Sequence, residues 1–138
     1  MVNKEIVWKR IEKAREYLDF LHEIKLDYSR EEFKKDKKAH GSTERFLHLC
    51  IEVFMDLGNH IIADQRLGKV EFYSDIPKLL FQHGYLDEEL KDLFMKIIGF
   101  RNILVHDYIK VDLDIVYDVV QNNLHDLEKL LQKFAEVL

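Results

Sequence analysis

Apolar residues recur along this chain at steps of three to five, with Lys, Arg and Glu between them, which is the spacing of amphipathic helices. Ile6, Ile11, Ala14, Leu18, Leu21 and Ile24 predict a long helix over residues 3 to about 27, its face widened by Trp8 and Tyr17. Residues 28–41 carry mixed charge, with Lys34, Lys35, Lys37 and Lys38, and read as a solvated, loosely helical connection or as a phosphate-steering patch. Ser42 or Thr43 is placed to cap a second helix with Glu44 in its first turn. That helix runs to about Asp64 on a stripe of Phe46, Leu49, Cys50, Val53, Leu57 and Ile61. Gly68 marks a loop, Ser74 caps a short helix with Pro77 in its first turn, and Gly84 ends it in the left-handed region.

Asp87 opens the next long helix, with Glu88 and Glu89 at the positive end of its dipole. Leu86, Leu90, Leu93, Ile97 and Leu104 make one stripe, and Phe94, Ile98 and Val105 a second. Two stripes predict a helix buried over a wide arc in the middle of a bundle. A last helix is expected from about Leu113 to the end, on Ile115, Val119, Leu124, Leu127, Leu130, Leu131 and Phe134. The expected fold is all-α: an up-down helical bundle of four long helices plus a short one, in one domain over residues 1–138.

Composition agrees with that pattern. Apolar residues make up 47% and charged residues 34%, with one proline and five glycines, so the turn residues of an all-β chain are missing. The lone Cys50 sits among Leu49, Ile51 and Val53, and is expected to be a buried thiol and not a nucleophile. No run approaches ~18 uninterrupted apolar residues, and Met1 to Glu5 lead straight into a charged amphipathic pattern. The expectation is a cytoplasmic protein with no membrane contact. The formal net charge is -5, so any phosphate contact must come from a local patch.

The run Arg101-Asn102-Ile103-Leu104-Val105-His106-Asp107-Tyr108 carries the candidate chemistry. Arg101 falls four residues after Ile97 and three before Leu104, on a buried stripe. A guanidinium there needs an anion, because burying it unpaired costs several kcal/mol. Either an internal carboxylate answers it, or the stripe opens into a cleft where a ligand anion does. Asn102 and His106 are four apart and share a helix face, so the amide could orient the imidazole. An imidazole titrates near ~6.5 and can take or give a proton near neutral pH. Arg101 and His106 stand roughly 140° apart on an ideal helix. They can converge if the helix ends near Val105, or if two copies of the chain face each other across a cleft. Such groups suit transesterification of RNA without a metal: a base takes the 2′-hydroxyl proton, the oxygen attacks phosphorus, and an acid protonates the leaving 5′-oxygen. On its own, the Arg–His pair reads as structural, and Tyr108 as a core or interface aromatic.

With Asn after the Arg and Tyr two after the His, the run resembles the motif of the HEPN superfamily. Within it the chain resembles the HepT-like toxins of toxin–antitoxin pairs. The segment Glu52-Val53-Phe54-Met55-Asp56-Leu57-Gly58-Asn59-His60-Ile61-Ile62 is similar to the same family. The resemblance implies a metal-independent endoribonuclease working as a homodimer, with Arg101 and His106 as the catalytic pair and Asn102 and Asp56 in support. It also implies a partner, a minimal nucleotidyltransferase antitoxin of the MntA type, which transfers AMP from ATP to Tyr108. No cofactor is called for.

His48/Glu52 and Asp56/His60 are two further i,i+4 pairs, able to hydrogen-bond, to chelate a metal, or to face the cleft and answer Arg101. Gly58 and Gly99 are expected mid-helix, where close helix approach near the site would explain both, as would chance. Two rival readings are a non-catalytic helical subunit that binds a nucleotidyltransferase, and a four-helix metal protein.

Overall fold

The computed structural model describes residues 3–106 and 111–138, and the described residues form helices with no strand. In chain order these are α1 (Lys4–Asp27), α2 (Arg30–Lys35), α3 (Lys37–Gln65), α4 (Asp75–Gln82), α5 (Glu88–His106), α6 (Leu113–Asn122) and α7 (Leu124–Val137).

Helix α1 starts at an Asn3 cap, whose side chain accepts from the Glu5 and Ile6 amides. Its buried face runs Val7, Ile11, Ala14, Leu18, Leu21, Ile24. Ile6 and Trp8, both expected on that face, are exposed; Val7, four residues before Ile11, takes the buried position.

The stretch 28–41 is more ordered than its charge implies. Ser29 and Glu32 form a capping box for α2, and Phe33 anchors that short helix in the core. Asp36, not Ser42 or Thr43, then caps α3, accepting from the Lys38 and Ala39 amides at 3.0 and 3.1 Å. Thr43 is buried about two turns in, its hydroxyl donating to the Ala39 carbonyl at 2.7 Å. A threonine satisfies itself this way inside a helix, which makes it a misleading start signal. Two of the cations here are paired: Arg30 bonds Asp114 and Asp118, and Lys34 bonds Asp114, tying α2 to α6.

Helix α3 contacts every other helix and is the hub of the core. It is the one described helix long and apolar enough to cross a membrane by length and composition, and 56% of that apolar window is buried against its neighbours. Cys50 lies within it, fully buried, and burial pushes its thiol up to about 12. The hub position expected of α5 therefore belongs to α3. On α5, Leu90, Phe94, Ile97, Ile98 and Arg101 are buried while Gly99, Asn102 and Ile103 are exposed, so α5 has one buried face and not a wide arc. Val105 of the second expected stripe has its side chain outside the described residues.

Gly58 is where α3 and α4 touch: a Cβ there would stand 2.5 Å from Ile76 Cγ2. Gly99 has open space where its Cβ would be, so close approach does not explain it. Ser74 precedes α4 but makes no capping hydrogen bond. Asp75 organises that turn, its carboxylate accepting from the Glu71 and Phe72 amides at 3.0 and 2.9 Å. Gly84 follows α4 at φ 82°, as expected.

The expected last helix is two helices. Asn123 interrupts it, donating from its side chain to Asp126 at 3.0 Å, and a side-chain amide that bonds locally competes with the helical ladder. The buried face reads Val116, Val120, Leu124, Leu127, Leu130, Leu131, Phe134, so Ile115 turns outward and Val119 is only half-buried.

Candidate functional site

Arg101 is 8% exposed, in the last turns of α5. The sequence left two answers for its charge open, and an internal carboxylate is the one found. Glu52, on α3, accepts from Arg101 Nε at 2.9 Å and from Nη2 at 2.7 Å, both on Oε1. His48, one turn earlier on α3, reaches the same Oε1 from Nε2 at 3.0 Å. A carboxylate oxygen only accepts, so His48 Nε2 carries the proton in that bond. One oxygen thus gathers three donors from two helices.

Tyr73 completes the enclosure. Arg101 Cζ lies 4.8 Å from the centroid of its ring, a cation–π distance, and the ring comes from the turn that Asp75 holds. Arg101 Nη1 donates to Asn102 Oδ1 at a long 3.5 Å. A guanidinium has five N–H groups, and these bonds engage three of them. The planar fork is therefore held at one edge and one face, and two of its N–H groups have no partner among the described residues.

Asn102 is exposed on α5, so it stands on the open side of Arg101. Asp56 is also exposed, one turn beyond Glu52 on α3; the carboxylate that meets Arg101 is that of Glu52. His60 does not turn back to Asp56 but accepts from Arg10 Nη1 at 2.6 Å, joining α3 to α1. Helix α5 extends through His106, past the Val105 at which the sequence allowed it to end. The His106 side chain and all of Tyr108 lie outside the described residues. Among the described residues no group of three or more His, Cys, Asp and Glu side chains is placed to hold a metal ion, and the His48/Glu52 pair is committed to Arg101.

Two of these residues are hard to read from the sequence. Glu52 stood among three acidic or basic candidates on α3, and its i,i+4 spacing with His48 was the only signal. Tyr73 had none, because a loop residue's partner on another helix leaves no local periodicity.

A family model described as Ribonuclease HepT-like matches residues 14–134. Over 100 residues the chain is 39% identical to the mRNA nuclease HepT of Shewanella oneidensis, covering 72% of this chain and 75% of that protein. It is 28% identical over 107 residues to the tRNA nuclease HepT of Aphanizomenon flos-aquae, covering 78% of this chain and 72% of that one. The solved structure of the tri-AMPylated Shewanella oneidensis HEPN toxin in complex with MNT antitoxin superposes with a TM-score of 0.86 at 32% identity, covering 98% of this chain and 99% of that chain. With a buried arginine at the end of α5 and a match along almost its whole length, the chain belongs to the HepT-like ribonuclease family.

Proposed function

We propose that this chain is the toxin of a toxin–antitoxin pair, a metal-independent endoribonuclease with Arg101 and His106 as its catalytic groups. The observation that carries this reading is Arg101 itself. It is a buried cation, braced by Glu52 and Tyr73, with two N–H groups that have no partner among the described residues and can meet an anion. Bracing lowers the entropy lost when a guanidinium grips a phosphate, and its planar geometry matches two phosphoryl oxygens.

In the reaction, His106 takes the proton of a ribose 2′-hydroxyl. The 2′-oxygen bonds to the adjacent phosphorus, and the bond from phosphorus to the 5′-oxygen breaks. An acid protonates that oxygen, so the products are a 2′,3′-cyclic phosphate and a 5′-hydroxyl. Arg101 stabilises charge on the non-bridging oxygens. Asn102 orients the His106 imidazole from one turn away on α5, and Asp56 supports the same surface from α3. An up-down bundle presents this face at the end of α5, and two copies related by a two-fold axis form the cleft. The second imidazole then serves as the acid.

The proposed partner is a minimal nucleotidyltransferase of the MntA type that AMPylates Tyr108. The MNT antitoxin bound to an AMPylated HEPN toxin in the related solved structure supports this part of the reading. An adenylyl group two residues after His106 adds bulk and negative charge where a phosphate must enter.

The test is cleavage of RNA by the purified protein in EDTA. Arg101→Ala and His106→Ala should each abolish cleavage while helicity and dimer survive, and unchanged activity in both would overturn the proposal. Co-expression with the nucleotidyltransferase should add adenylyl mass on Tyr108 and relieve growth arrest.

A further inference from the structure

The turn between α3 and α4 carries two exposed aromatic side chains, Tyr73 against the candidate site and Phe72 immediately before it in the chain. Phe72 is 71% exposed and Tyr73 is 46% exposed even though its ring covers the Arg101 guanidinium. Folding does not need Phe72 where it is. The core takes Ile76, Pro77 and Leu80 from this part of the chain and leaves Phe72 out. Two neighbouring aromatic rings that the core leaves in water, one of them on a guanidinium, offer flat faces to a ligand.

The turn is also built, not loose. The Asp75 carboxylate accepts from the amides of both Glu71 and Phe72, at 3.0 and 2.9 Å. Those bonds hold the Asp75 carboxyl below the ordinary carboxylate range, the Phe72 amide contributing most. Ile76 is fully buried directly after it. The backbone that carries both rings is therefore held, and Tyr73 is seated on α5 through Arg101, so the turn itself need gain little order when something stacks on it.

Aromatic faces next to a guanidinium are what an unpaired nucleotide requires: a surface for the base and a fork for the phosphate. A wholly apolar occupant would leave the spare Arg101 donors unanswered, and a simple anion would leave Phe72 unused. We propose that Phe72 and Tyr73 form a base-stacking subsite for an unpaired RNA nucleotide whose phosphate is held by Arg101. The subsite rests on the reading of Arg101 as a phosphate-binding residue. It makes the protein a reader of single-stranded RNA, because a base held in a duplex cannot reach these rings. Stacking tolerates any base, so the subsite selects unpaired structure more than sequence.

The probe is short single-stranded RNA carrying 2′-O-methyl groups throughout, which cannot undergo 2′-oxygen attack, with 2-aminopurine as a fluorescent base. The full chain should bind it and quench the fluorophore. Phe72→Ala should weaken binding about fivefold or more and remove the quenching, Phe72→Trp should retain both, and Phe72→Leu should behave like alanine. Equal binding and quenching by the wild type and Phe72→Ala would overturn the subsite, as would full affinity in Phe72→Leu, which marks a merely apolar contact. Loss of nucleotidyltransferase binding in Phe72→Ala with RNA binding intact would also overturn it, in favour of a protein-docking role. Cleavage is scored separately. Activity that depends on Arg101 and His106 without quenching removes the subsite alone, and quenching without any cleavage removes the nuclease reading while the subsite stands.

Discussion

Glu52 Oε1 accepts from both Nε and Nη2 of Arg101, at 2.9 and 2.7 Å, so a single carboxylate oxygen sets the plane of the guanidinium. The pair is neutral overall, which trades attraction for RNA against precise placement. Glu52→Gln keeps an acceptor near the arginine and removes the opposing charge. We expect KM for RNA to fall and kcat to fall about tenfold, because phosphate binds a less neutralised but less well-aimed cation. Steady-state cleavage of a defined oligonucleotide reads both constants, and an unchanged kcat would show that Glu52 does not position Arg101.

Arg101→Lys preserves charge but cannot donate to Glu52 from two nitrogens while stacking flat on Tyr73. The variant should fold, judged by circular dichroism, and lose at least about a hundredfold in kcat/KM. Retained activity would mean that only the charge at this position matters.

The two mid-helix glycines should respond oppositely to alanine. At Gly58 the added methyl would stand 2.5 Å from Ile76 Cγ2, on a stiff β-branched side chain, so overpacking should cost about 1–3 kcal/mol despite better helix propensity. At Gly99 nothing lies within 4 Å, so alanine should stabilise by about 0.5–1 kcal/mol. Urea unfolding of the two variants against wild type checks both signs.

Docking of α2 onto α6 should weaken in acid. Asp114 bonds Lys34 and Arg30, which hold its carboxyl below its ordinary 3.8. A depressed carboxyl contributes stability above its unfolded value, and that contribution is lost as pH falls through the lower folded one. Amide exchange in α2 should therefore rise below about pH 4 and with added salt, and Asp114→Asn should raise it already at neutral pH. Exchange that does not differ between wild type and Asp114→Asn at pH 7 would remove the ion pairs from this role.

The helical class was legible because burial imposes a 3.6-residue period on the chain itself: Ile11, Ala14, Leu18, Leu21 and Ile24 are spaced by the helix they make. The same holds for Arg101, whose place on a buried stripe followed from Ile97 and Leu104, and for the HepT-like family, read from residues 101–108. Caps and breaks were less legible, because Thr43 and Asn123 each had two local ways to satisfy a side chain and only the packing of neighbouring helices chose one. Which helix became the hub was decided between helices, as was which carboxylate met Arg101. Glu52 and Asp56 are carboxylates one turn apart on one helix, each four residues from a histidine, and that helix alone does not choose between them. The crossing of α3 and α5 does, bringing Glu52 to the guanidinium and leaving Asp56 in solvent, while Tyr73 reaches Arg101 from a turn 28 residues earlier in the chain through the tertiary fold alone. Periodicity is a property of one helix and can be read from one strand of sequence; a contact between helices depends on their crossing, which no single segment encodes.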